Sequence, residues 1–258
     1  MMKKEKPLLL LSNDDGFQAK GIQCLIEVLK PIADLIVVAP DGPRSGNSGA
    51  ITSERPVCLK HLSEEPGLVI YSCSGTPTDC VKLALHAVVP RVPDMVIGGI
   101  NHGDNSSVNV HYSGTMGVVI EGCLKGIPSV GFSLCDHAAD ADFRPAYPYI
   151  VRIVEEVLEK GLPKGVCLNV NFPNTSALKG VRICRQTDGV WTQEYVPCSH
   201  PRGGSYFWLT GVYQNNEPEA EDTDHWALDH GYVAITPTRI DVTDYEMVKQ
   251  MESWNLRI

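Results

Sequence analysis

Short β-like runs alternate with helical stretches through the first two thirds of the chain, and this alternation restricts the fold more than any other feature. Apolar runs at residues 8–12 and 35–39 predict strands, while residues 21–29 between them carry apolar side chains at helical spacing. Strands separated by helices form parallel sheets that are covered on both faces. The pattern therefore predicts an α/β fold with a doubly wound, mostly parallel sheet.

The alternation continues as far as Pro173. A helix is predicted to begin near Gly75-Thr76-Pro77-Thr78-Asp79, because Thr76 or Thr78 suits the cap, Pro77 the first turn and Asp79 the positive end of the helix dipole. The remaining predicted strands are residues 57–60, 68–73, 95–100, 130–134 and 166–170, and the remaining predicted helices are residues 116–124 and 149–160.

The character of the sequence changes after Pro173. Strand-like runs at residues 181–185, 206–210 and 232–236 are separated by long polar segments. We therefore divide the chain into a core at residues 1–175 and a β-rich C-terminal extension at residues 176–258 that packs back on the core. Long isolated loops are unfavourable in a monomer, so we expect the extension to be exchanged with a neighbouring subunit.

Composition excludes several classes of protein. The formal net charge of -9 argues against binding to a nucleic-acid polymer, and no apolar run approaches the ~20 residues of a membrane span. The basic N-terminus is followed by an apolar run that is too short for a signal peptide and leads directly into Asn13-Asp14-Asp15, so we expect no signal peptide. The nine cysteines are odd in number and lack a C-x-x-C pair, so we expect free thiols in a reducing compartment and a cytoplasmic protein.

Two adjacent carboxylates follow the first predicted strand. Asn13-Asp14-Asp15-Gly16 comes directly after the run Leu8-Leu9-Leu10-Leu11. Like charges at the end of a buried strand need a compensating cation or hydrogen bonds, and a divalent ion bound through oxygen is the simplest candidate. A solvated Asp-Gly turn is the alternative that this tetrapeptide alone leaves open.

Two further loops follow neighbouring predicted strands and also carry small oxygen-bearing side chains. Ser45 lies in the loop after residue 40, and Asn101 follows the strand at residues 95–100. Together with Asp14 and Asp15 these residues provide a hard, incomplete shell of oxygen ligands that leaves positions for water and substrate. We predict one Mg²⁺ or Mn²⁺ ion per subunit and phosphate chemistry.

Ser113-Gly114-Thr115 opens another predicted helix. A helix start of this kind offers outward main-chain N–H groups, a positive dipole end and two hydroxyls to a phosphoryl group, and the glycine permits close approach. The sequence contains no G-x-x-x-x-G-K-[ST] loop, no G-x-G-x-x-G after the first strand and no G-x-S-x-G elbow. P-loop, dinucleotide-binding and simple serine-hydrolase functions are therefore unsupported.

An ordered series of motifs closely resembles the SurE family of survival-protein 5′/3′-nucleotidases. The series covers nearly the whole chain and comprises Ser12-Asn13-Asp14-Asp15-Gly16, Val38-Ala39-Pro40-Asp41, Ser45-Gly46-Asn47-Ser48, Gly75-Thr76-Pro77-Thr78-Asp79-Cys80-Val81, Gly99-Ile100-Asn101, Tyr112-Ser113-Gly114-Thr115, Glu121-Gly122, Leu168-Asn169-Val170-Asn171-Phe172-Pro173 and Gly231-Tyr232-Val233-Ala234-Ile235-Thr236-Pro237.

The resemblance implies a metal-dependent phosphatase that acts on nucleoside monophosphates, with short polyphosphate as a further substrate of some members. It also implies a Rossmann-like core with a swapped C-terminal arm, assembled as a homodimer or homotetramer. The metal ligands that it implies are Asp14, Asp15, Ser45 and Asn101. The catalytic and phosphate-binding residues that we expect are Asp14, Asp15, Ser113, Gly114 and Thr115, with Asn13, Gly46 and Asn105 as further contacts of the substrate.

Three questions stay open at the level of sequence. The protein could bind a nucleotide or phosphate without hydrolysing it, or could be a structural oligomer whose aspartate pair only caps a strand. Residues 102–111 are less glycine-rich than the family pattern, so the base preference and the choice between 5′ and 3′ phosphates are not determined. The attacking group could be water or the carboxylate of Asp14 or Asp15.

Overall fold

A nine-stranded, mostly parallel sheet forms the centre of the computed structural model, which describes residues 6–256. The strands are β1 (Leu8–Ser12), β2 (Asp34–Pro40), β3 (Leu59–Glu65), β4 (Leu68–Cys73), β5 (Met95–His102), β6 (Ser129–Leu134), β7 (Val166–Phe172), β8 (Val181–Ile183) and β13 (Val233–Arg239), in the order β3-β4-β2-β1-β5-β6-β7-β13-β8. The predicted α/β class is confirmed.

Helices cover both faces of this sheet. On one face lie α1 (Lys20–Leu29) and α4 (Tyr147–Lys160), and on the other lie α2 (Pro77–Ala87) and α3 (Gly114–Leu124). The four leucines of β1 are buried on both sides, with Leu9 and Leu11 in one apolar cluster and Leu8 and Leu10 in the other. Continuous apolar strands of this kind are expected in a parallel sheet that is covered on both faces.

The capping signals in the sequence predicted two helix starts correctly. In α2 the Thr76 hydroxyl accepts a hydrogen bond from the Asp79 amide at 3.1 Å, and the Asp79 carboxylate accepts one from the Thr76 amide at 2.9 Å. This reciprocal capping box satisfies two amides that the helix itself cannot pair. In α3 the Ser113 hydroxyl accepts a 2.9 Å hydrogen bond from the Met116 amide.

Predicted and observed elements differ mainly at the edges. The strand predicted at residues 57–60 overlaps only the start of β3 (Leu59–Glu65), a longer edge strand that is antiparallel to β4. β4, which matches the strand predicted at residues 68–73, lies inside the sheet because it also pairs in parallel with β2. Helix α4 begins two residues before the predicted start, since Pro148 fits the first turn of a helix.

The C-terminal segment contributes to the central sheet and also forms two separate hairpins. β13 pairs antiparallel with β7 and parallel with β8, so both strands extend the main sheet. One hairpin joins β9 (Gly189–Thr192) to β12 (Val212–Asn215), and the other joins β10 (Tyr195–Ser199) to β11 (Ser205–Leu209). Two short helices, α5 (Asp224–Asp229) and α6 (Tyr245–Met251), complete the fold. The boundary between residues 175 and 176 stays a prediction.

No helix among residues 6–256 is long and apolar enough to cross a membrane.

Candidate active site at the carboxyl ends of the strands

The loop after β1 turns sharply, and its own first side chain holds the turn. Asn13 is fully buried; its Nδ2 donates to the Gly16 carbonyl at 3.0 Å, and its Oδ1 accepts from the Gly16 amide at 3.2 Å. Gly16 has a φ of 102°, a conformation that L side chains rarely adopt. The amide of Asn13 therefore shapes the loop that presents the aspartates, and its contact with substrate stays a prediction.

Asp14 is almost completely buried and lies against the first turn of α3. Its Oδ1 accepts a 2.6 Å hydrogen bond from the Thr115 hydroxyl. A methyl group added at Gly114 would lie 2.7 Å from Asp14 Cβ and 2.9 Å from its Oδ2. The absence of a side chain at Gly114 is what allows the carboxylate to approach the helix start so closely.

Burial strongly affects the charge of Asp14. The pKa of this carboxyl is raised to about 6 overall: burial is the largest cause and the negative charge of Asp15 adds to it, while the hydrogen bonds from Thr115 and the Gly114 amide lower it. Asp14 is thus a buried carboxylate whose negative charge is only partly compensated by hydrogen bonds.

Asp15 faces the end of β5. Its Oδ2 accepts a hydrogen bond from the main-chain amide of His102 at 3.3 Å. Burial raises the pKa of Asp15, whereas that hydrogen bond and the nearby imidazoles of His102 and His137 lower it. β1 and β5 are paired neighbours, which explains how their carboxyl ends place Asp15 beside His102.

Ser45 and Gly46 lie in the exposed loop after β2, and this loop is tied to the aspartate pair through the main chain. The Arg44 amide donates to the Asp14 carbonyl at 2.7 Å, and the Ser48 amide donates to the Tyr112 carbonyl at 3.1 Å. These contacts bring the loop between the end of β1 and the start of α3. Gly46 has a φ of 75° and open space where a side chain would be.

Asn101 is half-buried near the end of β5. Its Nδ2 donates to the Gly103 carbonyl at 2.8 Å, and within residues 6–256 its Oδ1 makes no hydrogen bond. The amide oxygen is therefore available as a ligand for a cation. Asn101 also lies one residue before His102, whose main-chain amide contacts Asp15.

Asn105 belongs to a different contact network. Its Nδ2 donates to Ser133 Oγ at 2.7 Å, and its main chain binds the side chains of Asn169 and Asn171 on β7. This buried network crosses the ends of β6 and β7 and explains the Asn-Val-Asn motif of β7. A contact between Asn105 and substrate stays a prediction.

His137 is a neighbour of the aspartate pair that sequence reasoning missed. It lies against Gly103, where an added methyl group would be 2.2 Å from its Cε1, and its charge lowers the pKa of Asp15. The position of His137 shortly after β6 could have indicated this, because the carboxyl ends of parallel strands meet at one edge of a sheet.

The donor set fits one hard divalent cation. Carboxylate, hydroxyl and amide oxygens are the ligands that Mg²⁺ and Mn²⁺ accept, and the buried, negatively charged Asp14 favours a cation at this position. Over residues 6–256 there is no group of three or more His, Cys, Asp or Glu side chains arranged to hold a metal. An ion here would use two carboxylates and complete its shell with neutral oxygens.

Comparison with known proteins identifies relatives over the full chain. The family model for survival protein SurE matches residues 9–193. The 5′-nucleotidase SurE of Phocaeicola vulgatus is 69% identical over 257 residues, covering 100% of both chains. That of Bacteroides thetaiotaomicron is 56% identical over 98% of both chains. The crystal structure of the SurE protein from Aquifex aeolicus superposes with a TM-score of 0.82 at 34% identity, covering 95% of this chain and 98% of that one.

Proposed function

This chain belongs to the SurE family, and we propose that it is a metal-dependent 5′-nucleotidase that hydrolyses nucleoside 5′-monophosphates to a nucleoside and phosphate. The observation that carries the proposal is the contact between a buried strand-end carboxylate and a helix start, seen in the 2.6 Å hydrogen bond from Thr115 to Asp14. The proposed cation site and the proposed anion site would therefore lie side by side, as phosphate chemistry requires.

Asp14, Asp15, Ser45 and Asn101 would hold the ion, which is Mg²⁺ or Mn²⁺ in this proposal. When bound, the ion would supply positive charge to the phosphoryl oxygens and lower the pKa of a nearby water. The Thr115 and Gly114 contacts keep Asp14 in place and favour its ionised form, which is the form that binds a cation.

Residues 113–115 would bind the phosphoryl group of the substrate. Ser113 caps α3 with its hydroxyl, so its side chain fixes the direction in which the first amides of the helix point. Main-chain N–H groups at a helix start stabilise the negative charge that develops on phosphoryl oxygens in the transition state. Gly46, in the loop tied to Asp14 through Arg44, would add a further contact.

Two routes for the attack on phosphorus follow from this arrangement. In the first, water attacks and a carboxylate of the pair accepts its proton; in the second, the carboxylate of Asp14 or Asp15 attacks phosphorus itself. Acid quenching at successive times within a single turnover of ³²P-labelled nucleotide separates them. Label on the protein would identify the carboxylate route, and label on phosphate alone would identify water.

A panel of substrates tests the proposed activity. Phosphate release is measured from 5′- and 3′-nucleoside monophosphates and tripolyphosphate, with Mg²⁺, with Mn²⁺ and with EDTA. We expect phosphate release from the 5′-monophosphates with a divalent ion and none with EDTA. The 3′-monophosphates and tripolyphosphate show which further substrates the enzyme accepts. Nucleotide binding without phosphate release under any condition would favour the non-catalytic alternative.

We further propose a homodimer or homotetramer with exchanged C-terminal arms. The hairpin of β10 and β11 exposes large apolar side chains, namely Tyr195, Val196, Tyr206, Phe207, Trp208 and Leu209. A contiguous apolar surface of this kind is typical of a contact with another protein, and a second copy of the chain is the partner that we propose.

We propose that the protein is cytoplasmic. All nine cysteines are free thiols in the structure, and unpaired cysteines are typical of a reducing compartment.

A further inference from the structure

A cavity of about 590 Å³ opens at the carboxyl ends of β6 and β7, the edge of the sheet that also carries the candidate metal site. Cys135 and Pro173, the residues that follow these two strands, form part of its wall, and His225, Asp229 and His230 of the α5 region line it as well. In the sheet order β1-β5-β6-β7, β6 is two strand spacings, about 10 Å, from the strand end that carries Asp14. A substrate held at Asp14 by its phosphate could therefore extend into this cavity.

Asp104 connects the cavity to the metal site. It lines the cavity and lies three residues after Asn101 in the loop that leaves β5. Its Oδ1 accepts hydrogen bonds from the Ser106 amide at 3.1 Å, from the Ser106 hydroxyl, and from Asn109 Nδ2 at 3.3 Å. The other oxygen, Oδ2, makes no hydrogen bond to any of residues 6–256. Asp104 is thus a fixed carboxylate with one acceptor still available.

A second chain segment holds this carboxylate in place. Trp191 of β9 donates its indole N–H to Asn109 Oδ1 at 2.8 Å, which directs the Asn109 amide nitrogen toward Asp104. The C-terminal extension therefore positions an acceptor in the loop beside the metal site.

The lining also carries two imidazoles in defined orientations. His230 stacks on Trp226 with ring centroids 3.8 Å apart, and its Nδ1 lies 2.7 Å from the Trp226 carbonyl. Because a carbonyl only accepts, Nδ1 carries the proton, and in the neutral ring Nε2 is an acceptor. His225 stacks on Tyr213 with ring centroids 4.5 Å apart. Both rings are held by aromatic neighbours rather than left to rotate.

The charge of the cavity indicates what it can bind. The lining contains two carboxylates, those of Asp104 and Asp229, and one ammonium group, that of Lys179. A second phosphate group would be repelled by the carboxylates, whereas a neutral group rich in hydroxyl and N–H donors would find several acceptors. The volume lies within the range of sites for small organic ligands.

We propose that this cavity binds the nucleoside part of the substrate, with Asp104 Oδ2 accepting from a ribose hydroxyl and His230 Nε2 accepting from the base. The inference rests on the proposed nucleotidase function and assigns it a specificity site. Carboxylates accept ribose hydroxyls in the same way in other nucleotide sites. A phosphate ester that lacks a nucleoside makes neither contact.

The test compares a nucleoside monophosphate with phenyl phosphate, which reaches the metal site alone. We expect Asp104→Asn and His230→Ala each to lower the ratio of kcat/KM for AMP to kcat/KM for phenyl phosphate about tenfold. His86→Ala, which removes an exposed imidazole from the end of α2, should leave the ratio within twofold. An unchanged ratio in both cavity variants would overturn the proposal.

A binding measurement without metal separates this inference from the proposed function. In EDTA, at least one of the four common ribonucleosides should raise the Tm of the wild-type protein, and the rise should be lost in His230→Ala. If the wild type hydrolyses no phosphate ester but shows this shift, only the proposed function fails. If it hydrolyses AMP and no ribonucleoside shifts the Tm, only the cavity assignment fails.

Discussion

The hydroxyl of Thr115 donates a 2.6 Å hydrogen bond to Oδ1 of Asp14, so two residues 101 positions apart in the sequence are in direct contact. The contact joins the end of β1 to the first turn of α3. It connects the carboxylate that we propose as a metal ligand to the loop that we propose as the phosphate site.

Thr115→Val tests this contact, because valine keeps the shape of threonine and removes the donor. The hydroxyl lowers the pKa of Asp14, so its loss should raise that pKa. The fall in kcat/KM for AMP on the acidic side of its pH profile should then begin at a higher pH. We expect kcat/KM for AMP at pH 6 and subsaturating Mg²⁺ to fall about tenfold or more. Thr78→Val is the matched control, since the buried Thr78 hydroxyl has no hydrogen-bond partner among residues 6–256. Equal pH profiles of kcat/KM for the two variants would contradict the proposed effect of Thr115 on Asp14.

Asp14→Asn should change stability in a pH-dependent way when metal is removed. The pKa of Asp14 is raised from 3.8 to about 6 in the folded protein, so the folded state binds the proton more tightly than the unfolded state. The wild type therefore loses stability as pH rises from about 4 to about 6, by at most about 3 kcal/mol. The variant, which has no charge here, should be the more stable protein at pH 8 in EDTA.

Thermal unfolding at pH 4 and pH 8, with EDTA and with Mg²⁺, measures this effect. Saturating Mg²⁺ should reverse the order at pH 8, because the ion binds the wild type more tightly than the variant. A variant that is less stable than the wild type at both pH values in EDTA would show that the Asp14 carboxylate is stabilising rather than strained by burial.

Gly114→Ala should damage the site through space alone. The added methyl group would lie 2.7 Å from Asp14 Cβ, so the carboxylate or the start of α3 must move. Since displacements of this size disrupt phosphate positioning, we expect kcat to fall about 100-fold. Gly49→Ala is the control, because a methyl group there meets no atom within 4 Å. If Gly114→Ala had the same kinetic constants as this control, the close packing of Asp14 against Gly114 would not matter for activity.

Trp208→Asp tests the proposed assembly. The Trp208 side chain is 66% exposed in the single chain, so the substitution should leave the Tm of a lone subunit nearly unchanged while weakening contacts between subunits. Sedimentation velocity should give an oligomer for the wild type and a smaller species for the variant. Val92→Asp places the same charge at an apolar residue that is 71% exposed outside the hairpin and should sediment like the wild type. Identical behaviour of Trp208→Asp and the wild type would place the subunit contact elsewhere.

Much of the core could be predicted because its signals are local or periodic. The apolar run of β1, the helical spacing in α1 and the capping box at Thr76 each specify an element within about ten residues of sequence. The rule that parallel strands end at one edge of the sheet then predicted that the loops after β1, β2 and β5 meet, and the strand order confirms that these strands are neighbours.

The C-terminal segment was harder to predict because its elements depend on distant partners. β9 and β12 are four residues each and pair only through the closure of a hairpin that spans residues 193–211, so no local periodicity marks them. Helices α5 and α6 are also short, with six and seven residues. In the site, the contacts of Asp14 with Thr115 and of Asp15 with His102 join residues 101 and 87 positions apart in the sequence, and only the three-dimensional arrangement reveals them.

The most direct test of the account is to locate manganese by anomalous diffraction in crystals of the wild type and of Asp15→Asn, and to measure AMP hydrolysis by the same proteins. Asp15→Asn keeps the shape of the side chain but removes one of the two charges proposed to hold the ion. We expect one manganese ion bound by Asp14 and Asp15 in the wild type, with weaker occupancy and an activity lower by about 100-fold or more in the variant. Asp140→Asn, an exposed aspartate outside the site, should match the wild type. A wild-type enzyme that hydrolyses AMP with no ion at Asp14 and Asp15, or an Asp15→Asn enzyme with full activity, would contradict the central claim.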